Sequence, residues 1–179
     1  LIDACAKEGI RPIIARTERT IIGMADGYAR TLNGDKPAVV ATQQGPGTEN
    51  AFPGIAQAFA DSVPIMFLPA GEDRSRYGLN FFFASDNYKS VTKWLTTVHH
   101  TDRIQDSMRQ AFTRLRMGKL GPILVEFPIN VGSESVNELL YEYSVVKSAK
   151  TASARPEIEE AVRLILSANN PIIHAGQGV

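Results

Sequence analysis

The chain has 179 residues, of which 44% are hydrophobic and 21% charged, and its 19 basic side chains balance 19 acidic ones. This composition is typical of a soluble globular protein, and the length suits one domain or one domain plus part of another. Formal neutrality argues against nucleic acid or an anionic membrane as a partner, because both are normally bound by a basic surface. No apolar run approaches the roughly 20 residues of a membrane-spanning helix. We therefore expect neither partner.

The cysteine content and the two ends of the chain also carry information. The single cysteine, Cys5, excludes an internal disulfide bond and favours a reducing compartment, so we expect a cytoplasmic location. The chain begins at Leu1 instead of methionine and stops at HAGQGV, where a glycine-rich turn has just begun. We expect that both ends are truncated.

The first predicted elements are a strand, a helix and a second strand. RPIIAR at residues 11–16 is a short apolar run typical of a strand, and Thr17 can cap the helix that follows. The apolar residues of this helix are expected to form one face: Ile21, Ile22, Ala25, Tyr28 and Ala29. The turn-forming sequence NGDKP ends the helix, and AVVAT at residues 38–42 indicates a strand buried on both faces.

A loop, a helix and a strand follow. QQGPGTEN at residues 43–50 predicts a loop, after which Asn50 can cap a helix that continues through Ala60. The inner stripe of this helix is expected to contain Phe52, Ile55, Ala56 and Phe59. VPIMFLP at residues 63–69 predicts another buried strand.

The next part is irregular and rich in aromatic residues. Asp86 or Ser90 could cap a short helix that carries Val91, Trp94 and Leu95. Residues 102–117 predict a helix, whose inward residues are Ile104, Met108, Phe112 and Leu115, and GPILVEFP at residues 121–128 predicts a strand. Continuous apolar strands that alternate with helices predict an α/β fold, a doubly wound parallel sheet with helices on both faces.

The character of the sequence changes after Val131. The Ser, Ala and Lys content of the following stretch indicates a linker. A second α/β domain then begins, with Pro156 at the start of a helix and PIIHAGQG as a strand. The residues of this helix that should face inward are Ile158, Val162 and Ile165.

Two features are candidates for function, and each also has an ordinary explanation. Glu18 begins an apolar helical stretch, where an acid usually only complements the helix dipole, by about 0.3–1 kcal/mol. QQGPGTEN is compatible with a simple tight turn. It lies, however, at the carboxyl end of a predicted parallel strand and before a helix, where open α/β sheets bind ligands. Its glycines also let a flat ligand approach the backbone closely.

Three stretches together resemble a known family: TERTIIGMADGYAR, VVATQQGPGTENAFPGIAQAFADSVPIMFLPAG and GPILVEFPINV. They resemble the pyrimidine-binding domain of thiamine-diphosphate-dependent enzymes, in the group of acetolactate synthase, pyruvate oxidase and related decarboxylases and carboligases. PIIHAGQGV is similar to the start of that family's central domain. The resemblance implies an N-terminally incomplete pyrimidine-binding domain at residues 1–132, a linker at 133–155 and the truncated start of a central domain at 156–179.

The resemblance also implies roles for individual residues. In this family a glutamate hydrogen-bonded to a pyrimidine nitrogen promotes loss of the thiazolium proton, and Glu18 aligns with it. Such a carboxyl group needs a partly desolvated pocket. The residues implied near the cofactor are Gln43, Gly45, Pro46, Gly47, Asn50 and Phe83.

Three positions depart from the pattern of the family. Phe83, within FFFASD at residues 81–86, stands where relatives carry a glutamine, and Thr17 replaces a histidine that often precedes the glutamate. Gln43 also falls where relatives often carry a threonine. Without the amide at position 83 and the imidazole at position 17, the groups that would contact substrate differ from those of acetolactate synthase itself.

The family resemblance further implies the whole enzyme's chemistry and assembly. It implies a decarboxylase or carboligase for 2-oxo acids that uses thiamine diphosphate and Mg²⁺, with the metal ligands outside this segment and none within it. It implies a homodimer or homotetramer whose sites lie between subunits. A non-catalytic regulatory or assembly module that retains the fold remains an alternative. A nucleotide-binding Rossmann domain is a third possibility, which depends only on the final GQG.

Overall fold

The computed structural model describes residues 1–32, 36–78, 80–136, 144–145 and 152–176. Its helices and strands follow in the order α1 (Ile2–Lys7), α2 (Glu18–Thr31), β1 (Ala38–Thr42), α3 (Pro46–Ala60), β2 (Ile65–Gly71), α4 (Ala84–Asn87), β3 (Trp94–Thr97), α5 (Ile104–Arg116), β4 (Ile123–Pro128) and α6 (Arg155–Ser167). Short 3₁₀ helices lie at Arg74–Arg76, Thr101–Arg103 and Val131–Ser133. Among these described residues, no helix has both the length and the apolar character needed to cross a membrane.

The four strands form one parallel sheet in the order β1-β2-β4-β3. The two central strands, β2 and β4, have neighbours on both sides, and their side chains alternate between the two faces of the sheet. Ile65 and Phe67 belong to one apolar cluster, which they share with residues of α2 and α3. Met66 belongs to a second cluster, together with residues of α5. Helices therefore cover both faces, which confirms the predicted doubly wound α/β fold.

Helices α2 and α3 pack closely against each other on the first face. Ile22 and Ile55 are fully buried in this cluster. Gly54 lies so near Ile22 that a Cβ at Gly54 would come within 2.5 Å of the Ile22 Cγ2. This close packing brings the amino termini of the two helices together at the carboxyl edge of the sheet.

The predicted strand at residues 11–16 is wrong. These residues have no regular structure, and Ile13 and Ile14 are 56% and 72% exposed, because the segment has no neighbouring strand in the described part of the chain. Strand β1 itself is confirmed, but its burial on both faces is not, since Val39 is 55% exposed. Helix α5 lies against β2, β3 and β4, which leaves the Val39 side of the edge strand open.

Both helices that follow the predicted start signals differ in detail from the prediction. Thr17 does cap α2, where its hydroxyl accepts a hydrogen bond from the Thr20 N–H at 3.2 Å, but Tyr28 is exposed. Helix α3 begins at Pro46, because Gly45 makes the turn with φ of 60° and proline is favoured in the first helical turn. Asn50 is therefore inside the helix and does not cap it. The buried residues of α3 are Gly47, Thr48, Ala51, Ile55 and Ala58, so Phe59 of the predicted stripe faces outward.

The predicted short helix around Trp94 is wrong. Trp94–Thr97 form β3, which pairs in parallel with β4. The run WLTT is aromatic and β-branched, and such residues suit a pleated sheet. The prediction of a long helix after residue 102 is confirmed by α5, and those of the strands near residues 63–69 and 121–128 by β2 and β4.

The second unit is described by one helix. Helix α6 is confirmed, but the three residues expected to face inward are only about half buried: Ile158, Val162 and Ile165. Residues 171–176 are not a strand, and residues 177–179, with the GQG glycine Gly178, lie outside the described residues. Most of the predicted linker at residues 133–155 also lies outside them. The domain boundaries stay a prediction.

Candidate functional site

Glu18 begins α2 at the carboxyl edge of the sheet and is half-exposed. Its carboxylate faces the first turns of α3, which approach it through the packing of the two helices. The Asn50 amide Nδ2 donates a hydrogen bond to Glu18 Oε2 at 2.9 Å. The Arg19 Nε in turn donates to Asn50 Oδ1 at 2.9 Å. The structure thus brings together two predicted site residues, Glu18 and Asn50, and adds Arg19 to them.

Gly47 lies beside Oε1, the other oxygen of the Glu18 carboxylate. A Cβ at this position would lie 3.3 Å from Glu18 Oε1 and 3.2 Å from the Cβ of Gln43. Any larger residue would therefore crowd the carboxylate, whereas glycine lets α3 lie close to it. The φ of 60° at Gly45, a conformation that glycine adopts readily, turns the chain into α3 just before this point.

The electrostatic state of Glu18 follows from its hydrogen bonds. The Asn50 amide, and after it the backbone N–H of Glu18, lower the pKa of the Glu18 carboxyl below its ordinary value, whereas desolvation acts weakly in the opposite direction. The partly desolvated pocket expected from the family resemblance is therefore not the dominant influence in this chain. Glu18 is an ionised acceptor at neutral pH, with one oxygen bonded to Asn50.

Hydrogen bonds from two buried residues fix the loop before α3 and the first turn of that helix. The Thr48 hydroxyl donates to the Gln43 carbonyl at 2.8 Å, and the Tyr88 hydroxyl donates to the Thr48 carbonyl at 2.5 Å. Tyr88 is fully buried, and this burial raises the pKa of its phenol. Gln43 and Pro46 are exposed above this support, so their surfaces are available to a ligand.

Phe83 lies in a different group of residues. Its ring packs against Tyr77, with centroids 5.1 Å apart, and lines a small cavity with Thr97, His99 and Glu126. This group does not include Glu18 or Asn50. The structure therefore assembles six of the seven predicted residues around α2 and α3 and places the seventh elsewhere.

Glu126 organises the segment around Phe83. Its buried carboxylate accepts hydrogen bonds from the Ala84 and Ser85 N–H groups at 2.9 and 3.3 Å and from the Thr97 hydroxyl at 2.9 Å. Sequence reasoning overlooked this residue, although a lone acid within the apolar run ILVEFP was a usable signal. Arg19, Thr48 and Tyr88 carried no such signal, because their roles depend on contacts between distant segments.

The donor set at Glu18 fits a flat nitrogen heterocycle better than a metal ion. No group of three or more His, Cys, Asp or Glu side chains that could hold a metal occurs in the described ranges. The site instead offers the Glu18 carboxylate, whose Oε1 lies beside the buried Gly47, and the exposed side chain of Gln43. A carboxylate can accept from a ring N–H or share its proton with a ring nitrogen. The pyrimidine of thiamine diphosphate has both the shape and the nitrogens for these contacts.

Comparison with known proteins points to the same cofactor. The family description "Thiamine pyrophosphate enzyme, N-terminal TPP binding domain" matches residues 1–101. Glyoxylate carboligase of Escherichia coli O157:H7 is 33% identical over 177 residues, which cover 96% of this chain and 29% of that protein. The acetolactate synthase large subunit of Buchnera aphidicola subsp. Schizaphis graminum is 31% identical over 181 residues, which cover 96% of this chain and 31% of the relative.

This chain also covers only part of a eukaryotic relative. The mitochondrial acetolactate synthase catalytic subunit of Saccharomyces cerevisiae is 28% identical over 179 residues, which cover 93% of this chain and 26% of the relative. The chain thus spans less than a third of the length of these curated relatives. The family match over more than half of the chain agrees with the carboxylate and glycine geometry at α2 and α3. The chain belongs to the thiamine pyrophosphate enzymes and carries their N-terminal cofactor-binding domain.

Proposed function

We propose that the whole protein is a thiamine-diphosphate-dependent decarboxylase or carboligase that acts on 2-oxo acids, in the manner of acetolactate synthase. The observation that carries the proposal is the half-exposed Glu18 carboxylate, which accepts from Asn50 on Oε2 and has Oε1 beside Gly47. The names of the relatives support it, since glyoxylate and acetolactate chemistry both start from 2-oxo acids.

The chain's own residues divide the work of the site. Gly45 and Pro46 provide a surface against which a planar ring can lie, the buried Gly47 lies next to Glu18 Oε1, and the exposed Gln43 amide can hydrogen-bond at the edge of the ring. Glu18 Oε1 accepts and returns a proton at a ring nitrogen. Thiamine diphosphate, when bound, supplies an acidic ring carbon that serves as a nucleophile towards 2-oxo acids. A ring bound next to Glu18 would exclude water from the carboxylate, which would raise its pKa and make proton sharing easier.

Several properties of the whole protein belong to the same proposal. Mg²⁺ would be held by acids outside this segment and would bind the diphosphate. The protein would assemble as a homodimer or homotetramer with the site at a subunit interface, which is consistent with the half-exposed position of Glu18. We also propose a cytoplasmic location, which the single cysteine favours.

The test is a Glu18→Gln substitution in the complete protein. Release of CO₂ from pyruvate and from glyoxylate is measured with saturating thiamine diphosphate and Mg²⁺. We expect the wild type to turn over at least one of the two acids, and Glu18→Gln to lose most of this activity, since the proton acceptor is gone. Glu49→Gln is the matched control, because Glu49 is an exposed acid in the first turn of α3.

The alternatives give different results. A non-catalytic assembly module would show no turnover in the wild type and no effect of Glu18→Gln. A nucleotide-binding Rossmann domain would bind a nicotinamide or adenine nucleotide and no thiamine diphosphate. Equal loss of activity in the Glu18→Gln and Glu49→Gln variants would mean that charge, and not proton exchange at Glu18, explains the effect.

A further inference from the structure

Arg19 is an exposed residue next to the predicted catalytic acid, and its side chain does not bond to that acid. Its guanidinium Nε donates to Asn50 Oδ1 at 2.9 Å, and Asn50 Nδ2 donates to Glu18 Oε2 at 2.9 Å. The three side chains form a short chain of hydrogen bonds in one direction, from the guanidinium through the amide to the carboxylate. This chain links neighbouring residues of α2 through a residue of α3.

The chemistry of the three groups fixes the orientation of the amide. A guanidinium can only donate hydrogen bonds and an ionised carboxylate can only accept them, whereas an amide has one end of each kind. A flipped Asn50 would place its NH₂ group against the donor of Arg19 and its oxygen against the carboxylate of Glu18. Both neighbours therefore enforce the same orientation, and Arg19 is the one that still enforces it when Glu18 changes its protonation.

This orientation keeps an N–H donor on Oε2 of Glu18. Oε2 is occupied by the Asn50 amide, and Oε1 lies on the side of Gly47, where a Cβ would come within 3.3 Å of it. We propose that Arg19 is a positioning residue that acts through Asn50, so that Glu18 exchanges its proton through Oε1. The inference rests on the proposed function for its catalytic meaning, but the hydrogen-bond chain itself can be tested without cofactor.

A simple charge effect is the competing explanation for any influence of Arg19. A cation next to a carboxylate favours the ionised form whether or not an amide stands between them. Against this explanation, the leading cause of the lowered pKa of Glu18 is the Asn50 hydrogen bond, followed by a backbone N–H. The two explanations differ in one respect, because positioning needs Asn50 and a direct charge effect does not.

The experiment is a double-mutant cycle on the 179-residue chain, read by NMR titration of the Glu18 side-chain carboxyl. The proteins are the wild type, Arg19→Ala, Asn50→Ala and the variant with both substitutions. Arg16→Ala is the matched control, since it removes an exposed arginine two residues from Glu18. The methyl signals of the buried residues Ile22 and Ile55 report whether each variant keeps the packing of α2 against α3.

We expect Asn50→Ala to raise the pKa of Glu18 and Arg19→Ala to raise it by part of that amount. In the Asn50→Ala background, Arg19→Ala should have no further effect, and Arg16→Ala should leave the wild-type pKa unchanged. An equal rise from Arg19→Ala in both backgrounds would overturn the proposal in favour of direct charge, and no rise in either would overturn it outright. Because no cofactor is present, these outcomes are independent of whether the protein turns over 2-oxo acids.

Discussion

Gly54 lies outside the candidate site but allows α3 to pack closely against α2, and the site lies between these two helices. A Cβ at Gly54 would lie 2.5 Å from Ile22 Cγ2 and 2.9 Å from Ile22 Cβ. Carbon atoms that are not bonded prefer separations of about 3.5–4.0 Å, so Gly54→Ala forces a displacement of about 1 Å. Ile22 cannot yield easily, because it is fully buried and β-branched side chains have one strongly preferred rotamer in a helix.

The expected cost follows from two opposing contributions. Overpacking of this kind costs about 1–3 kcal/mol. The change from glycine to alanine within a helix returns roughly 0.5–1 kcal/mol. Gly27→Ala is the matched control, because Gly27 lies in the exposed part of α2 and a Cβ there would meet nothing within 4 Å. The difference between the two variants cancels the helix preference, so Gly54→Ala should be less stable than Gly27→Ala by about 1–3 kcal/mol.

The assay is urea unfolding of each variant, followed by circular dichroism. With a typical slope of about 1–3 kcal/mol per molar urea, the midpoints of the two variants should differ by roughly 1 M. Ile22→Ala provides a second check, because it removes the Cγ2 atom that Gly54→Ala would strike. In an Ile22→Ala background, Gly54→Ala should cost less than in the wild type, because the contact with Cγ2 is gone and only the 2.9 Å contact with the Cβ of residue 22 remains. Equal stability of Gly54→Ala and Gly27→Ala would refute the close approach of α2 and α3 on which the site depends.

Three further predictions concern the hydrogen bonds around the site. Asn50→Ala removes the hydrogen bond that contributes most to the lowered pKa of Glu18. The resulting loss in the free energy of unfolding should be full above the ordinary pKa of a glutamate and should disappear as the pH falls through the lowered pKa of Glu18. Unfolding curves between neutral and acid pH check this. Tyr88→Phe should cost about 1 kcal/mol in urea unfolding, since the phenol donates to the buried Thr48 carbonyl; an unchanged midpoint would contradict it. Glu126→Gln should cost about 1–3 kcal/mol, because one of the two backbone N–H groups loses its acceptor and the new NH₂ group finds only the Thr97 hydroxyl as a possible acceptor; Glu49→Gln, at an exposed acid, is the control, and equal midpoints would argue against the buried role.

Much of the fold could be predicted from the sequence, because the pattern of apolar residues is local. The strands near residues 38–42, 63–69 and 121–128 are continuous apolar runs, and such runs suit a sheet that is covered by helices. The helical spacing of the apolar residues in α5 is equally clear. The local signal failed for Trp94, where a short run can fit a helix or a strand and only pairing with β4 decides between them.

The site was predictable only where a motif carried it. Glu18, Gly47 and Asn50 belong to stretches that resemble the family, and the structure brings them into contact. Phe83 was placed by alignment of a segment whose key glutamine is missing, and it lies with Tyr77 instead. Arg19 could not be predicted, because nothing in the sequence relates it to a residue 31 positions away.

The hydrogen bond between Asn50 and Glu18 also bears on the order in which the protein folds. It joins residues 32 positions apart, and the bond from Tyr88 to Thr48 joins residues 40 positions apart. Contacts between such distant residues carry the entropic cost of closing a long loop. They therefore form after the local helices do. Until α3 docks, the acid lacks the Asn50 hydrogen bond, and the local backbone N–H of Glu18 is the remaining contact that lowers its pKa. The part of the pKa shift that is due to Asn50 arises only when α2 and α3 have docked, which makes the carboxyl of Glu18 a reporter of that docking.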